Sequence, residues 1–207
     1  MLKILNPKLG YKVNSMGYRA VEFDTIDWKN SYIILGCSAC FGAGIIDDKQ
    51  TIAEQLSKRL QAPVINLGVS GGSVELQYFN TIEMIEQGIC PRGVFIMWPN
   101  ADRFPLFNQG VLENCGSWSD SKKLDWAMNG NSAHHNLYHS RAVAIMWRLQ
   151  QIPLVTFGHH YHAEPYVDCH LFEKIDWGTD GEHWGPKTAE CISEMLYQKH
   201  LSNQKLI

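Results

Sequence analysis

The chain has 207 residues, 45% of them hydrophobic and 19% charged, with a formal net charge of −3. Such a composition supports one sizeable core and excludes a disordered chain or a polybasic surface for nucleic acid or anionic lipid. Apolar runs such as VFIMW (Val94–Trp98) fall far short of the roughly 20 residues a membrane span needs.

The opening MLKILNPKLGYK has neither the apolar core nor the cleavage site of a signal peptide. Six cysteines are scattered without framework spacing, which fits reduced thiols better than a disulfide scaffold. The expectation is a soluble, cytoplasmic, single-domain protein over residues 1–207.

In chain order, residues 1–31 read as a lead-in, and Tyr32–Leu35 (YIIL) is the first strand. TIAEQLSKRL follows, where Thr51 and Glu54 have capping-box spacing and Ile52, Leu56 and Leu60 share a helical face. Pro63–Gly68 is a second strand, Val74–Glu86 a helix and Gly93–Trp98 a third strand. Residues 103–140 read as a long irregular insert, a lid or specificity region whose aromatics (Trp118, Trp126, Tyr138, with His134 and His135) stack on a ligand or form a satellite core. Arg141–Gln150 then predicts a helix, Pro153–Phe157 a fourth strand, and Pro186 opens a terminal helix with Ala189, Ile192 and Leu196 on one face. Apolar strands alternating with helices predict a parallel sheet covered on both faces. Sheets of that kind bind ligands at the carboxyl ends of their strands.

Chemistry-bearing residues collect at that edge. Gly36-Cys37-Ser38 follows the first strand, Asn66 through Gly71 the second, and Asn100 the third, while Asp180-x-x-His183 precedes the last helix. A hydroxyl, glycine-freed N–H groups, an amide and an Asp/His pair are the parts acyl transfer requires. In Asp180-x-x-His183 the carboxylate can orient one imidazole nitrogen and leave the other to take a proton from Ser38.

These four blocks, in this order, resemble the SGNH (GDSL-type) hydrolases, and the resemblance covers nearly the whole chain, including the lead-in Asn14–Asp24. It implies a flavodoxin-like three-layer α/β/α sandwich with a parallel sheet of about five strands. It also implies cofactor-free and metal-free hydrolysis of an ester or acetyl group on a small molecule or carbohydrate. Carried over, Ser38 is the nucleophile, His183 the base and Asp180 its orienter, with Ser38, Gly71 and Asn100 as the oxyanion hole. Two departures stand out. Cys37 replaces the aspartate of the first block, leaving the turn to be ordered by other groups, and Trp98 and Ala101 replace residues flanking Asn100.

Other readings compete. Ser38 alone would be an ordinary helix cap. Cys37-x-x-Cys40 has redox spacing but no second pair of metal spacing. The loop GCSACFGAG lacks both the Lys-Ser/Thr end of a P-loop and the dinucleotide fingerprint. His159, His160 and His162 have no acidic partner at tight ligand spacing and read as a polar loop or pocket lining. An acyltransferase with the same residues, or a non-catalytic binding module of the same fold, are the alternatives to a serine esterase.

Overall fold

The structure is a computed structural model that describes residues 2–4, 10–100, 102–108, 111–119, 131–158, 167–171 and 173–204. Trp126, Ala101, His159, His160 and His162 lie outside the described residues, as does the side chain of His134.

The chain order is β1 (Tyr32–Gly36), α1 (Ser38–Phe41), α2 (Ile52–Leu60), β2 (Val64–Gly68), α3 (Val74–Glu86), β3 (Gly93–Trp98), β4 (Phe104–Asn108), β5 (Val111–Cys115), α4 (Asn131–Leu149), β6 (Leu154–Gly158), β7 (Cys169–His170) and α5 (Pro186–Gln204). Five strands form one sheet in the order β2-β1-β3-β6-β7, every pair parallel. Alternation along the strands builds the two outer layers. Ile33, Leu35, Ile65, Leu67, Val94, Ile96 and Trp98 face one side, where Leu76 and Met84 of α3 and Val143 and Trp147 of α4 cover them. Tyr32, Ile34, Val64, Phe95, Met97, Val155 and Phe157 face the other, beneath Ile52 and Leu56 of α2 and Ile192 and Leu196 of α5. The three-layer α/β/α sandwich read from the sequence is the fold observed.

Local chemistry explains the boundaries. Thr51 Oγ1 accepts the Glu54 N–H at 3.3 Å, half of the expected box, while the Thr51 N–H is taken by Asp48 O at 3.1 Å. Ser73 Oγ caps α3 by accepting the Leu76 N–H at 3.1 Å. The insert differs from expectation: β4 and β5 form an antiparallel hairpin, Phe104 opposite Cys115, and α4 starts ten residues before Arg141. Among the described residues no helix is long and apolar enough to cross a membrane.

Candidate active site

Ser38, Gly71 and Asn100 follow β1, β2 and β3, which are neighbours in the sheet. Ser38 opens the short α1 and is 6% exposed. Cys37 O accepts the Phe41 N–H at 2.9 Å, and Ser38 O accepts those of Gly42 and Ala43 at 3.0 and 2.9 Å. Asn66 clamps this turn to the sheet: its Nδ2 donates to Cys40 O at 2.8 Å and its Oδ1 accepts the Gly68 N–H at 2.9 Å. Gly68 has no room for a side chain, because a Cβ there would stand 2.4 Å from the Phe41 nitrogen.

The lead-in supplies what Cys37 does not. Arg19, 7% exposed, reaches the loop after α1, where Nη1 donates to Gly42 O at 2.8 Å and Nη2 to Ile45 O at 2.9 Å. Its Nε donates to Asp48 Oδ1 at 2.7 Å, so the buried cation is paired as well as hydrogen-bonded. Tyr11 lies 4.6 Å beneath the guanidinium, and its hydroxyl oxygen accepts the Gly44 N–H at 2.7 Å. Cys37 itself is 4% exposed and lies 3.9 Å from Met97 Sδ in the apolar layer under α2 and α5. Trp98 is buried in the opposite layer and does not share that packing.

Asp180 and His183 are brought together. His183 Nδ1 lies 2.8 Å from Asp180 Oδ2, while Asp180 Oδ1 accepts the N–H groups of Glu182 and His183, both at 3.0 Å. One carboxylate thus shapes the turn and orients the ring. Partial burial raises its pKa, but the His183 and Glu182 N–H groups and then the imidazole outweigh this and bring the carboxyl down to about 2.

Asp176 anchors the same segment from behind. It accepts the N–H groups of Lys187 at 3.0 Å and Thr188 at 2.8 Å, together with the Thr188 hydroxyl at 2.8 Å. Three bonds therefore hold the start of α5 to the segment that leads into the Asp180–His183 turn.

The turn is fastened to the serine loop at Gly44. Gly44 O accepts from the Thr179 N–H at 2.8 Å and from Thr179 Oγ1 at 3.1 Å. Gly44 has φ +79°, and a Cβ there would stand 2.9 Å from Asp180 Oδ1. The Asp/His turn therefore sits directly against the loop six residues beyond Ser38. Among the described residues no hydrogen bond joins Ser38 Oγ to His183.

Two other candidates look different in three dimensions. Cys37 and Cys40 are both free, and burial, with Cys37 beside it, pushes the Cys40 thiol well up, away from the thiolate that redox exchange needs. A cavity of about 920 Å³ lined by Lys12, Arg19, Glu22, Glu54 and Asn66, among others, includes none of Ser38, Asp180 and His183. The sequence named Asn66 without a role, and it gave no signal for Arg19 or Asp176, because their partners lie 11 to 26 residues away.

No family model matches the chain, and no curated protein matches it by sequence. Solved structures do. The chain is similar to a protein from Desulfitobacterium hafniense DCB-2 assigned to the lipolytic G-D-S-L family, with a TM-score of 0.56 and 11% identity over 83% of this chain and 99% of that one. It is also similar to Est2A, an acetyl xylan esterase from the rumen bacterium Butyrivibrio proteoclasticus, with a TM-score of 0.57 and 10% identity over 88% of this chain and 66% of that one. At such identities the likeness is one of architecture, and the architecture of this chain is that of the SGNH (GDSL-type) hydrolases.

Proposed function

We propose that this protein is a metal-free serine esterase or deacylase, with Ser38, His183 and Asp180 as its triad. The observation that carries the reading is the 2.8 Å contact between His183 Nδ1 and Asp180 Oδ2, in a turn hydrogen-bonded to the Ser38 loop through Gly44. With Nδ1 engaged, Nε2 takes the proton from Ser38 Oγ as the oxygen bonds to the acyl carbon. The oxyanion is received by the N–H groups of Ser38 and Gly71 and the Asn100 amide, donors worth about 3 kcal/mol each in comparable sites. His183 then returns its proton to the departing alcohol, and a water activated by the same nitrogen releases the acid.

The reading extends to one catalytic domain over the whole chain, acting in the cytoplasm. The six cysteines (Cys37, Cys40, Cys90, Cys115, Cys169 and Cys191), all free, suit that compartment.

The test is hydrolysis of p-nitrophenyl acetate by purified protein with and without a chelator, followed by mass spectrometry of the Ser38 peptide after a short acid quench. Turnover that resists the chelator, with an acetyl mass on that peptide, supports the reading. Acetyl found on the Cys37 side chain, or activity unchanged in Ser38→Ala, overturns the assignment of the nucleophile. Acyl transfer to an added alcohol in preference to water would make the protein an acyltransferase.

A further inference from the structure

The hairpin forms a second wall of the site. β4 packs against α3, and the turn after β5 carries Trp118 to the loop that follows β2. A Cβ on Gly71 would stand 3.1 Å from the Trp118 ring and 3.5 Å from Asn114 Cβ, and Asn114 Nδ2 donates to Ser70 O at 3.5 Å. From the other side, the Arg103 N–H donates to Asn100 O at 3.3 Å, and the Arg103 guanidinium lies 5.5 Å from the Trp118 ring centroid. Asp102 joins the group by accepting the Ser117 N–H at 3.2 Å. These residues therefore touch the backbone at both Gly71 and Asn100.

Four buried polar atoms in this group have no hydrogen-bond partner among the described residues: Arg103 Nε, Arg103 Nη1, Asn114 Oδ1 and Asp102 Oδ1. Buried polar groups are nearly always paired, so an orphaned set of four calls for an explanation. Two of them donate and two accept. A carboxylate or phosphate would satisfy Arg103 but meet the charge of Asp102, and an ammonium would do the reverse. A hydroxyl both donates and accepts, so several hydroxyls on one frame suit the whole set. Trp118 is 55% exposed and offers the flat apolar surface on which the C–H face of a sugar ring stacks.

We propose that Asp102, Arg103, Asn114 and Trp118 form a subsite for the carbohydrate portion of a sugar ester, holding its hydroxyls while the acyl carbonyl lies at Gly71 and Asn100. This rests on the esterase reading above. Because the four atoms are closed to water with Trp118 over Arg103, the indole turns outward as the sugar enters and becomes its platform.

The experiment compares parent, Arg103→Met, Trp118→Ala and Asn114→Leu proteins on peracetylated xylose, glucose and N-acetylglucosamine and on p-nitrophenyl acetate. Xylotriose, cellotriose and chitotriose binding is followed by calorimetry, and melting curves establish folding. The expected result is that the ratio of kcat/KM for the sugar ester to that for the aryl ester falls about tenfold or more in each folded variant, chiefly through KM, as loss of hydrogen bonds to a charged group predicts. An unchanged ratio overturns the subsite, as does an equal loss on both substrates, which would make these residues structural. If Arg103→Met does not fold, Asn114→Leu decides the matter, since its side chain gives up only the 3.5 Å contact to Ser70. A parent that cleaves the aryl ester yet neither binds nor deacetylates any sugar overturns the subsite and leaves the esterase reading intact. Trp118-dependent sugar binding without cleavage of any ester upholds the subsite and overturns the esterase.

Discussion

The turn that carries Asp180 and His183 meets the Ser38 loop at Gly44, and the hairpin bounded by Arg103 and Trp118 meets the loops after β2 and β3, yet the two regions treat their polar groups differently. In the turn, the oxygens of Asp176 and Asp180 accept from main-chain N–H groups, a threonine hydroxyl and an imidazole. In and beside the hairpin, four buried polar atoms have no partner among the described residues. On the proposed reading, groups whose positions set the chemistry are fixed from within the chain, and groups whose task is recognition are left to be completed by a ligand, at some cost to stability before it arrives. Preorganisation of the first kind is what holds reacting groups in line.

The sharpest way to break this contrast is to remove the chemistry. Ser38→Ala should lower ester turnover by about 10⁴-fold or more without moving the melting temperature, since triad members act as a unit. Activity surviving at parent level would void the meaning given to the Asp180 turn. Asp180→Asn comes next, with an expected loss in kcat of about 10³–10⁴-fold from misorienting the imidazole. It should fold normally in circular dichroism, because an amide oxygen still accepts the Glu182 and His183 N–H groups.

Gly44→Ala tests the fastening between the two segments. Its positive φ makes a side chain costly by about 1–2 kcal/mol. The added methyl would also press on Asp180 Oδ1, so kcat should fall about tenfold, beyond what the stability loss explains. Normal turnover in a destabilised Gly44→Ala protein would show that the contact does not position Asp180.

Cys37→Asp gives no gain in this structure. Its side chain would enter the apolar layer beside Met97, where an unpaired carboxyl costs about 3 kcal/mol or more. For a chain of this size that lowers Tm by about 10 °C, read by calorimetry. A protein that melts like the parent would mean that the turn supplies donors to the new group.

The smallest effect is in pH. The Asp180 carboxyl is depressed to about 2, and Asp176 is also lowered, its partial burial outweighed by the Lys187 and Thr188 donors. A depressed carboxyl stabilises the fold above its unfolded pKa of roughly 4 and loses that contribution as pH falls toward the folded value. The parent should therefore melt above Asp176→Asn at pH 6, and the two should converge as pH falls below the ordinary carboxylate range.

Much of the architecture was legible in the residues. β3 and α3 begin and end where the sequence reading put them, because strand and helix periods are local signals. The hairpin was not legible, since Pro105 inside an apolar run argues against a strand, and only its place in a two-stranded sheet makes it tolerable. The first turns of α4 were hidden for a similar reason: Asn, Ser and His there carry weak helix propensity, and the signal resumes only at Val143 and Trp147, which pack on the sheet. In the site, the order of Ser38, Gly71, Asn100 and Asp180-x-x-His183 was readable because each follows or precedes a recognisable element. Arg19 and Asp176 were not, because most of what they hold is main chain, and carbonyl and N–H groups leave no mark in a sequence.

Arg19 also bears on how the protein fails. Its guanidinium ties the carbonyls of Gly42 and Ile45 to a segment that precedes the first strand, while β1 is gripped on both sides by other strands. The serine loop and the lead-in are therefore expected to open together and before the sheet does. Under mild denaturant, amides of Gly42–Ile45 should exchange with deuterium in step with those of Tyr18 and Arg19 and ahead of Ile33–Leu35. Enzyme inactivation would then precede global melting, and a chain shortened past Arg19 would keep its sheet and lose its activity.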